Sequence, residues 1–131
     1  MIVDSSALIA ILRDEPEAER LADQIDSAQV LKISAATYFE ASMVADRSKD
    51  AMVGSRFDLL CERISLTIVP FDQSQARIAR DAYRQFGKGS GHKARLNFGD
   101  CFAYALAKAT GEPLLYKGGD FSHTDVASAL A

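Results

Sequence analysis

Apolar residues recur along this chain with two different periods, and the pattern predicts strands interleaved with helices. Four apolar runs are too short for helices and predict buried strands at residues 1–3, 30–33, 65–69 and 113–116. The stretches between them carry apolar residues at helical spacing. This spacing predicts helices over residues 7–12, 16–27, 35–48, 51–63, 72–86 and 97–110.

Residues that typically begin or end helices stand at several of these boundaries. Ser34, Asp72 and Asn97 each precede a predicted helix, where a side-chain oxygen caps the first backbone N–H groups. We expect Pro16 in the first turn of the second helix and Gly111 just after the last one.

Strands that alternate with helices are typical of a parallel sheet covered by helices on both faces. We therefore predict a three-layer α/β/α sandwich with a short parallel sheet of four to five strands. The length of 131 residues suits one domain, so we expect residues 1–131 to form a single domain. Ligands of such sheets bind beyond the carboxyl ends of the strands, where we look for chemistry.

Two acidic residues stand beyond the carboxyl ends of predicted strands, and two others are isolated in apolar helices. Asp4 and Asp120 are of the first kind, and Glu40 and Asp100 are of the second. Each has a plain structural alternative. Asp4 could cap a helix, Asp100 could complete a capping box with Asn97, Glu40 could reach water at the edge of its apolar face, and Asp120 could belong to an ordinary turn.

In a parallel sandwich these four positions can converge on one cleft, where the carboxylates would repel one another. A divalent cation would remove that repulsion. Cys61, Cys101, His92 and His123 show no metal-binding spacing, so oxygen ligands are expected, which favours Mg²⁺ or Mn²⁺. Such a site activates water and offsets charge on phosphorus oxygens.

Charge is segregated along the chain although the net charge is only −3. Residues 1–30 carry seven acidic and two basic side chains, whereas residues 77–95 carry six basic and one acidic side chain. The basic segment is either a solvated helix face with its loop or a surface that holds phosphates.

The composition is that of an ordinary globular protein, with 48% apolar and 25% charged residues. No apolar run approaches the length that spans a membrane, and no basic segment precedes an apolar stretch at the N-terminus. We therefore predict a cytoplasmic protein with no signal peptide and no membrane contact.

Four segments carry a family resemblance over essentially the whole chain. They are MIVDSSAL at residues 1–8, ISAATYFE at residues 33–40, LNFGDCFAYA at residues 96–105 and LLYKGGDF at residues 114–121. In this order and at these distances they resemble the PIN-domain ribonucleases, and closely the VapC toxins of bacterial type II toxin–antitoxin pairs.

The resemblance implies a metal-dependent endoribonuclease that cuts structured RNA, commonly tRNA or rRNA. It also implies a homodimer and a VapB-like antitoxin whose C-terminal segment covers the site. The chain would then contact DNA only indirectly, through this antitoxin. By the motif match, Asp4 and Asp100 are the main metal ligands, Glu40 binds metal or orients the attacking water, and Ser6 supports the first acid. Many relatives carry an acid or Asn at the position of Gly118, so the fourth acid is Asp120 or is absent.

Phosphates of the substrate would need cations near these acids. The candidates for binding RNA are Arg84, Lys88, Lys93, Arg95 and Lys117.

Two other classes of protein remain open from the residues. One is a phosphoacceptor or phosphatase-like domain, which usually places a second acid beside the first-strand Asp, where Ser5 and Ser6 stand here. The other is a non-catalytic binding module that acts only through its antitoxin and DNA.

Overall fold

The computed structural model describes residues 1–130, in which four strands and six α-helices alternate. A short 3-10 helix at Phe121–His123 follows the last strand. The elements are β1 (Ile2–Val3), α1 (Ser5–Leu12), α2 (Ala18–Ser27), β2 (Lys32–Ser34), α3 (Ala35–Asp46), α4 (Met52–Arg63), β3 (Thr67–Val69), α5 (Gln73–Phe86), α6 (Phe98–Thr110) and β4 (Leu114–Leu115).

The four strands form one parallel sheet in the order β3-β2-β1-β4. Ile2 pairs with Lys32 on one side and with Leu114 on the other, so β1 lies inside the sheet. The chain moves from β1 outward to β2 and β3, but β4 returns to the opposite side of β1. The boundary between β1 and β4 is therefore a topological switch point, where open parallel sheets bind ligands.

Two hydrophobic cores lie on opposite faces of this sheet. Ile2 and Leu114 belong to the core that includes residues of α5 and α6. Val3 and Leu115 belong to the other core, with residues of α1, α2, α3 and α4. Successive side chains of a strand point to opposite faces, so even two-residue strands contribute to both cores. The predicted parallel α/β fold is confirmed, with four strands in the described residues.

Most predicted helix boundaries agree with the structure to within two residues. Asp72 and Asn97 accept cap hydrogen bonds from backbone N–H groups, and Gly111 ends α6 in the left-handed conformation, with φ at 69°. Two expectations were wrong. Pro16 lies in the turn before α2, which begins at Ala18, and Ser34 precedes α3 without a side-chain cap bond.

Helix α1 begins at Ser5, two residues earlier than expected, because Asp4 itself caps the helix. No helix among residues 1–130 has the length and apolar character needed to cross a membrane. The organisation of residues 1–131 as a single domain stays a prediction.

We expect Phe57→Ala to destabilise the fold by about 3–5 kcal/mol, because removing a buried ring leaves a cavity. Phe57 is 1% exposed and packs on the ring of Tyr38 at a centroid distance of 5.7 Å. Leu59, on the same helix, is 54% exposed, so Leu59→Ala is the matched control and should change stability by less than about 0.5 kcal/mol. Urea unfolding of both variants measures the difference, and equal losses would contradict this packing.

Candidate active site

Asp4 combines both roles that the sequence left open for it, as a helix cap and as a buried acid. It follows β1 directly, and its Oδ2 accepts hydrogen bonds from the backbone N–H of Ser6 at 3.1 Å and from the Ser6 hydroxyl at 2.6 Å. The side chain is only 3% exposed. Burial raises the pKa of the Asp4 carboxyl, and the hydrogen bonds from Ser6 oppose this increase.

Asp100 stands in the first turn of α6 and completes a capping box. Its Oδ2 accepts a hydrogen bond from the backbone N–H of Asn97 at 3.0 Å, and Oδ1 of Asn97 accepts one from the backbone N–H of Asp100 at 2.9 Å. Burial raises the pKa of Asp100 to about 6. The negative charges of Asp4, Asp120 and Glu40 contribute to the increase.

Glu40 projects from α3 between the starts of α1 and α6. Its Oε1 accepts a hydrogen bond from the Ser5 hydroxyl at 2.9 Å. Its Oε2 lies against Gly99, and a Cβ at residue 99 would overlap this oxygen. The backbone of Gly99 therefore leaves the space that the Glu40 carboxylate occupies, beside Asp100.

Ser6 and Asp120 complete the surroundings of the buried acids. The Ser6 hydroxyl oxygen accepts a hydrogen bond from the backbone N–H of Lys117 at 3.0 Å while the hydroxyl donates to Asp4. Ser6 thus connects the ends of β1 and β4. Asp120 is exposed, three residues beyond Lys117, and acts on the site through its charge on Asp100.

The charges of the four acids act on one another. The pKa of Asp100 responds to the other three, and the pKa of Asp4 responds to Glu40. Within residues 1–130, however, no three acidic, His or Cys side chains converge closely enough to hold a metal ion. The shared site of the four acids, with a common ligand geometry, therefore stays a proposal.

The residues of this cluster fit a hard divalent cation. The four acids supply carboxylate oxygens, which Mg²⁺ and Mn²⁺ prefer. Both hydrogen bonds from Ser6 end on Oδ2 of Asp4, so Oδ1 takes no part in them. A cation would also stabilise the charged forms of Asp4 and Asp100, which burial disfavours.

The basic residues predicted to bind RNA fall into two groups. Arg84, Lys88, Lys93 and Arg95 are exposed, and none of these four forms an ion pair in the described part of the chain. Lys117 instead lies 2.8 Å from Glu15 and 3.6 Å from Glu17 through its Nζ atom. The charge of Lys117 is therefore already neutralised by acidic side chains, which weakens the prediction that Lys117 contacts RNA.

The loop between α5 and α6, which carries Lys88, Lys93 and Arg95, is attached next to the helix of Asp100. The backbone N–H of Lys88 donates to the carbonyl of Leu96 at 2.8 Å, and the backbone N–H of Leu96 donates to the carbonyl of Phe86 at 2.9 Å. Leu96 immediately precedes the capping residue of α6. The loop therefore begins and ends beside the helix that carries Asp100.

Comparisons with known proteins agree with this architecture. Residues 1–127 match the PIN domain family. The ribonuclease VapC28 of Mycobacterium tuberculosis is 52% identical over 130 residues, which cover 99% of this chain and 98% of the relative. The chain belongs to the PIN-domain family and, within it, to the VapC ribonucleases.

Solved structures show the same fold at low sequence identity. The Mycobacterium tuberculosis toxin VapC20, described as cleaving the sarcin–ricin loop, has a TM-score of 0.74 at 15% identity, covering 96% of this chain and 95% of that one. VapBC2 of Rickettsia felis, solved with a DNA fragment from its promoter, has a TM-score of 0.75 at 15% identity, covering 97% and 94%.

Two contacts of the site could not be found from sequence reasoning. Ser5 holds Glu40, and Glu15 holds Lys117, across 35 and 102 positions of the chain. No local pattern pairs such residues. Gly99, in contrast, carries a local signal, because a glycine inside a helix suggests that another group approaches the backbone.

The raised pKa of Asp100 predicts how stability depends on pH without divalent cations. The folded protein holds this proton up to about pH 6, whereas an unfolded Asp releases it near pH 4. This contribution to the free energy of unfolding is fully present below about pH 4 and is lost as the pH rises through 6.

We therefore expect the stability of the wild type relative to Asp100→Asn to fall between about pH 4 and 6 and to level off above. Urea unfolding in a chelating buffer at constant ionic strength measures it. A difference that is flat or increases over this range would contradict the burial of the Asp100 charge.

Proposed function

We propose that this chain is a Mg²⁺- or Mn²⁺-dependent endoribonuclease, the toxin of a type II toxin–antitoxin pair, that hydrolyses phosphodiester bonds in structured RNA such as tRNA or rRNA. The observation that carries the proposal is the placement of buried Asp4 and half-buried Asp100, with Glu40, at the carboxyl end of the sheet beside its switch point. Relatives named ribonucleases at 52% identity support the chemistry.

Asp4 and Asp100 are the residues that would hold the cation, with Glu40 as the third acid. When bound, the cation activates water and offsets the charge that develops on the phosphorus oxygens. Ser6 orients the Asp4 carboxylate by donating to Oδ2. The Ser5 hydroxyl orients Glu40 through Oε1, which leaves Oε2 to align the attacking water and accept its proton.

Asp120 takes a lesser role in this proposal. It is exposed and follows the Gly118–Gly119 pair, in which φ of Gly118 is 96°. From there it adds negative charge near Asp100. We assign it to the edge of the site, where it contributes to cation attraction.

RNA would be seated by the exposed cations next to α6. Arg84, Lys88, Lys93 and Arg95 are free to contact phosphates, and such contacts position a substrate without reading its sequence. Lys117 instead stabilises the segment after β4 through Glu15.

The proposed partners are a VapB-like antitoxin, DNA bound only through it, and a second copy of this chain. VapBC2 of Rickettsia felis, which shares the fold, was solved with promoter DNA. A second copy is supported by the face of α3, where Phe39 is 63% exposed, Met43 41% and Val44 37%. Exposed apolar surface of this kind marks protein interfaces.

Incubation of the purified chain with total RNA tests the proposed activity. We expect cleavage with Mg²⁺ or Mn²⁺, none with chelator, and a loss of at least about a hundredfold in Asp4→Asn and Asp100→Asn. Asp58→Asn, at an exposed position of α4, is the matched control and should cleave like the wild type. Cleavage without metal, or equal cleavage by all variants, would contradict the proposal and favour a non-catalytic binding module.

Gly99→Ala tests the position of the Glu40 carboxylate. The added Cβ forces Oε2 to move, and a displacement of this size should lower the cleavage rate about a hundredfold while the melting temperature is retained. Gly54→Ala is a close control, because its Cβ would lie 2.5 Å from a carboxylate oxygen of Asp46, outside the site. Equal activity of both variants would remove Glu40 from the mechanism.

A further inference from the structure

A groove with a cavity volume of about 550 Å³ runs between α5 and α6, outside the acid cluster. Its walls are aromatic, with two cations at the rim. The residues that matter are Phe71, Tyr83, Phe98, Phe102, Arg80 and Arg84. None of the acids described above lines it.

One of the aromatic rings in the groove, that of Phe98, is largely open to solvent. Phe102 packs edge to face against Phe71 at 4.7 Å and against Phe98 at 4.8 Å between ring centroids. Phe98 is nevertheless 77% exposed. A ring that packs against one neighbour and is otherwise exposed can stack on another planar group.

The two cations at the rim of the groove, Arg80 and Arg84, are available to bind a ligand. Arg80 and Arg84 are one helical turn apart on α5, both are exposed, and neither forms an ion pair within residues 1–130. Arginine binds phosphate oxygens through two parallel hydrogen bonds. Aromatic platforms bordered by cations are typical of sites for single-stranded nucleic acid.

The groove begins at the acid cluster. Phe98 also borders a smaller cavity of about 240 Å³, which Glu40 and Gly99 line. The stacking platform is therefore next to Glu40 of the proposed reaction centre.

We propose that this groove binds one unpaired nucleotide of the RNA substrate, beside the phosphate that is cleaved. Its base stacks on Phe98, and Arg80 and Arg84 hold the adjoining phosphates. The inference rests on the proposed ribonuclease function and deepens it, because it selects unpaired positions of a folded RNA. Stacking without hydrogen bonds tolerates every base, so the groove recognises an unpaired state and leaves sequence to other contacts.

The charge of the rim favours RNA over a second copy of the chain. In a twofold interface the same patch faces itself, which would bring Arg80 and Arg84 of each copy together without a counter-charge. The α3 face carries no such cations among Phe39, Met43 and Val44. The two surfaces adjoin at Phe98 and Phe102, and the arginines at the far side of the groove distinguish it from the apolar α3 face.

Binding of a single-stranded RNA of about 12 nucleotides, measured by fluorescence anisotropy in the Asp100→Asn background, tests the groove apart from cleavage. We expect Phe98→Ala and Phe98→Leu to weaken binding about 5- to 150-fold and Phe98→Trp to retain it, because only aromatic rings stack on bases. Arg80→Gln with Arg84→Gln should reduce the slope of log affinity against log salt by about 1.4. Leu59→Ala, at an exposed position of α4, is the control.

Sedimentation of the same variants separates the possible occupants. Unchanged RNA affinity in Phe98→Ala, or RNA affinity retained in Phe98→Leu while Phe98→Ala separates the copies, would overturn the groove proposal. These results differ from a failure of the proposed function, which appears as absent metal-dependent cleavage by the wild type. The groove proposal would be supported if the protein with Phe98 intact binds the single strand more tightly than the same RNA in a duplex, and if Phe98→Ala loses this preference.

Discussion

The buried charge of Asp4 is the constraint on which the site depends. Among the Asp, Glu, Lys, Arg and His side chains of residues 1–130, Asp4 is the one that is buried, and no basic side chain forms an ion pair with it there. Two hydrogen bonds from Ser6 offset part of the cost of desolvation, yet the pKa of the Asp4 carboxyl stays above its ordinary value. Because Asp100 and Glu40 add further repulsion, the arrangement stabilises the fold poorly. It suits a cation that binds there.

The topology of the sheet explains why acids from distant parts of the chain meet. All four strands are parallel, so their carboxyl ends lie along one edge. Asp4 ends β1, and the segment with Lys117 and Asp120 follows β4, its neighbour across the switch point. Helices α3 and α6 begin at the same edge and bring Glu40 and Asp100 to it. The same polarity places the groove at Phe98 next to this cluster.

Local patterns predicted the elements well because each depends on neighbouring residues. The capping box of Asn97 and Asp100, the cap at Asp72 and the end of α6 at Gly111 all follow from interactions within a few positions. The structure also shows that a helix cap and a site residue need not be alternatives. Asp4 and Asp100 fill both roles, a combination that sequence reasoning weighed as a choice.

Contacts between distant segments were beyond sequence reasoning. The interpretation of Glu40 assumed a buried apolar face on α3, but Met43 and Val44 are exposed, and the buried positions of this helix are Thr37, Ala41 and Ala45. What holds Glu40 is Ser5, on another helix. Lys117 was grouped with RNA-binding residues because charge alone cannot reveal its partner Glu15.

A crystal structure of the wild-type chain soaked with Mn²⁺, with the ion located by its anomalous scattering, tests the central claim most directly. The account predicts a manganese peak bound by carboxylate oxygens of Asp4 and Asp100, with Glu40 on the same side of the ion. A peak elsewhere, or an ordered site in which any of these three side chains turns to another face of the molecule, would contradict it.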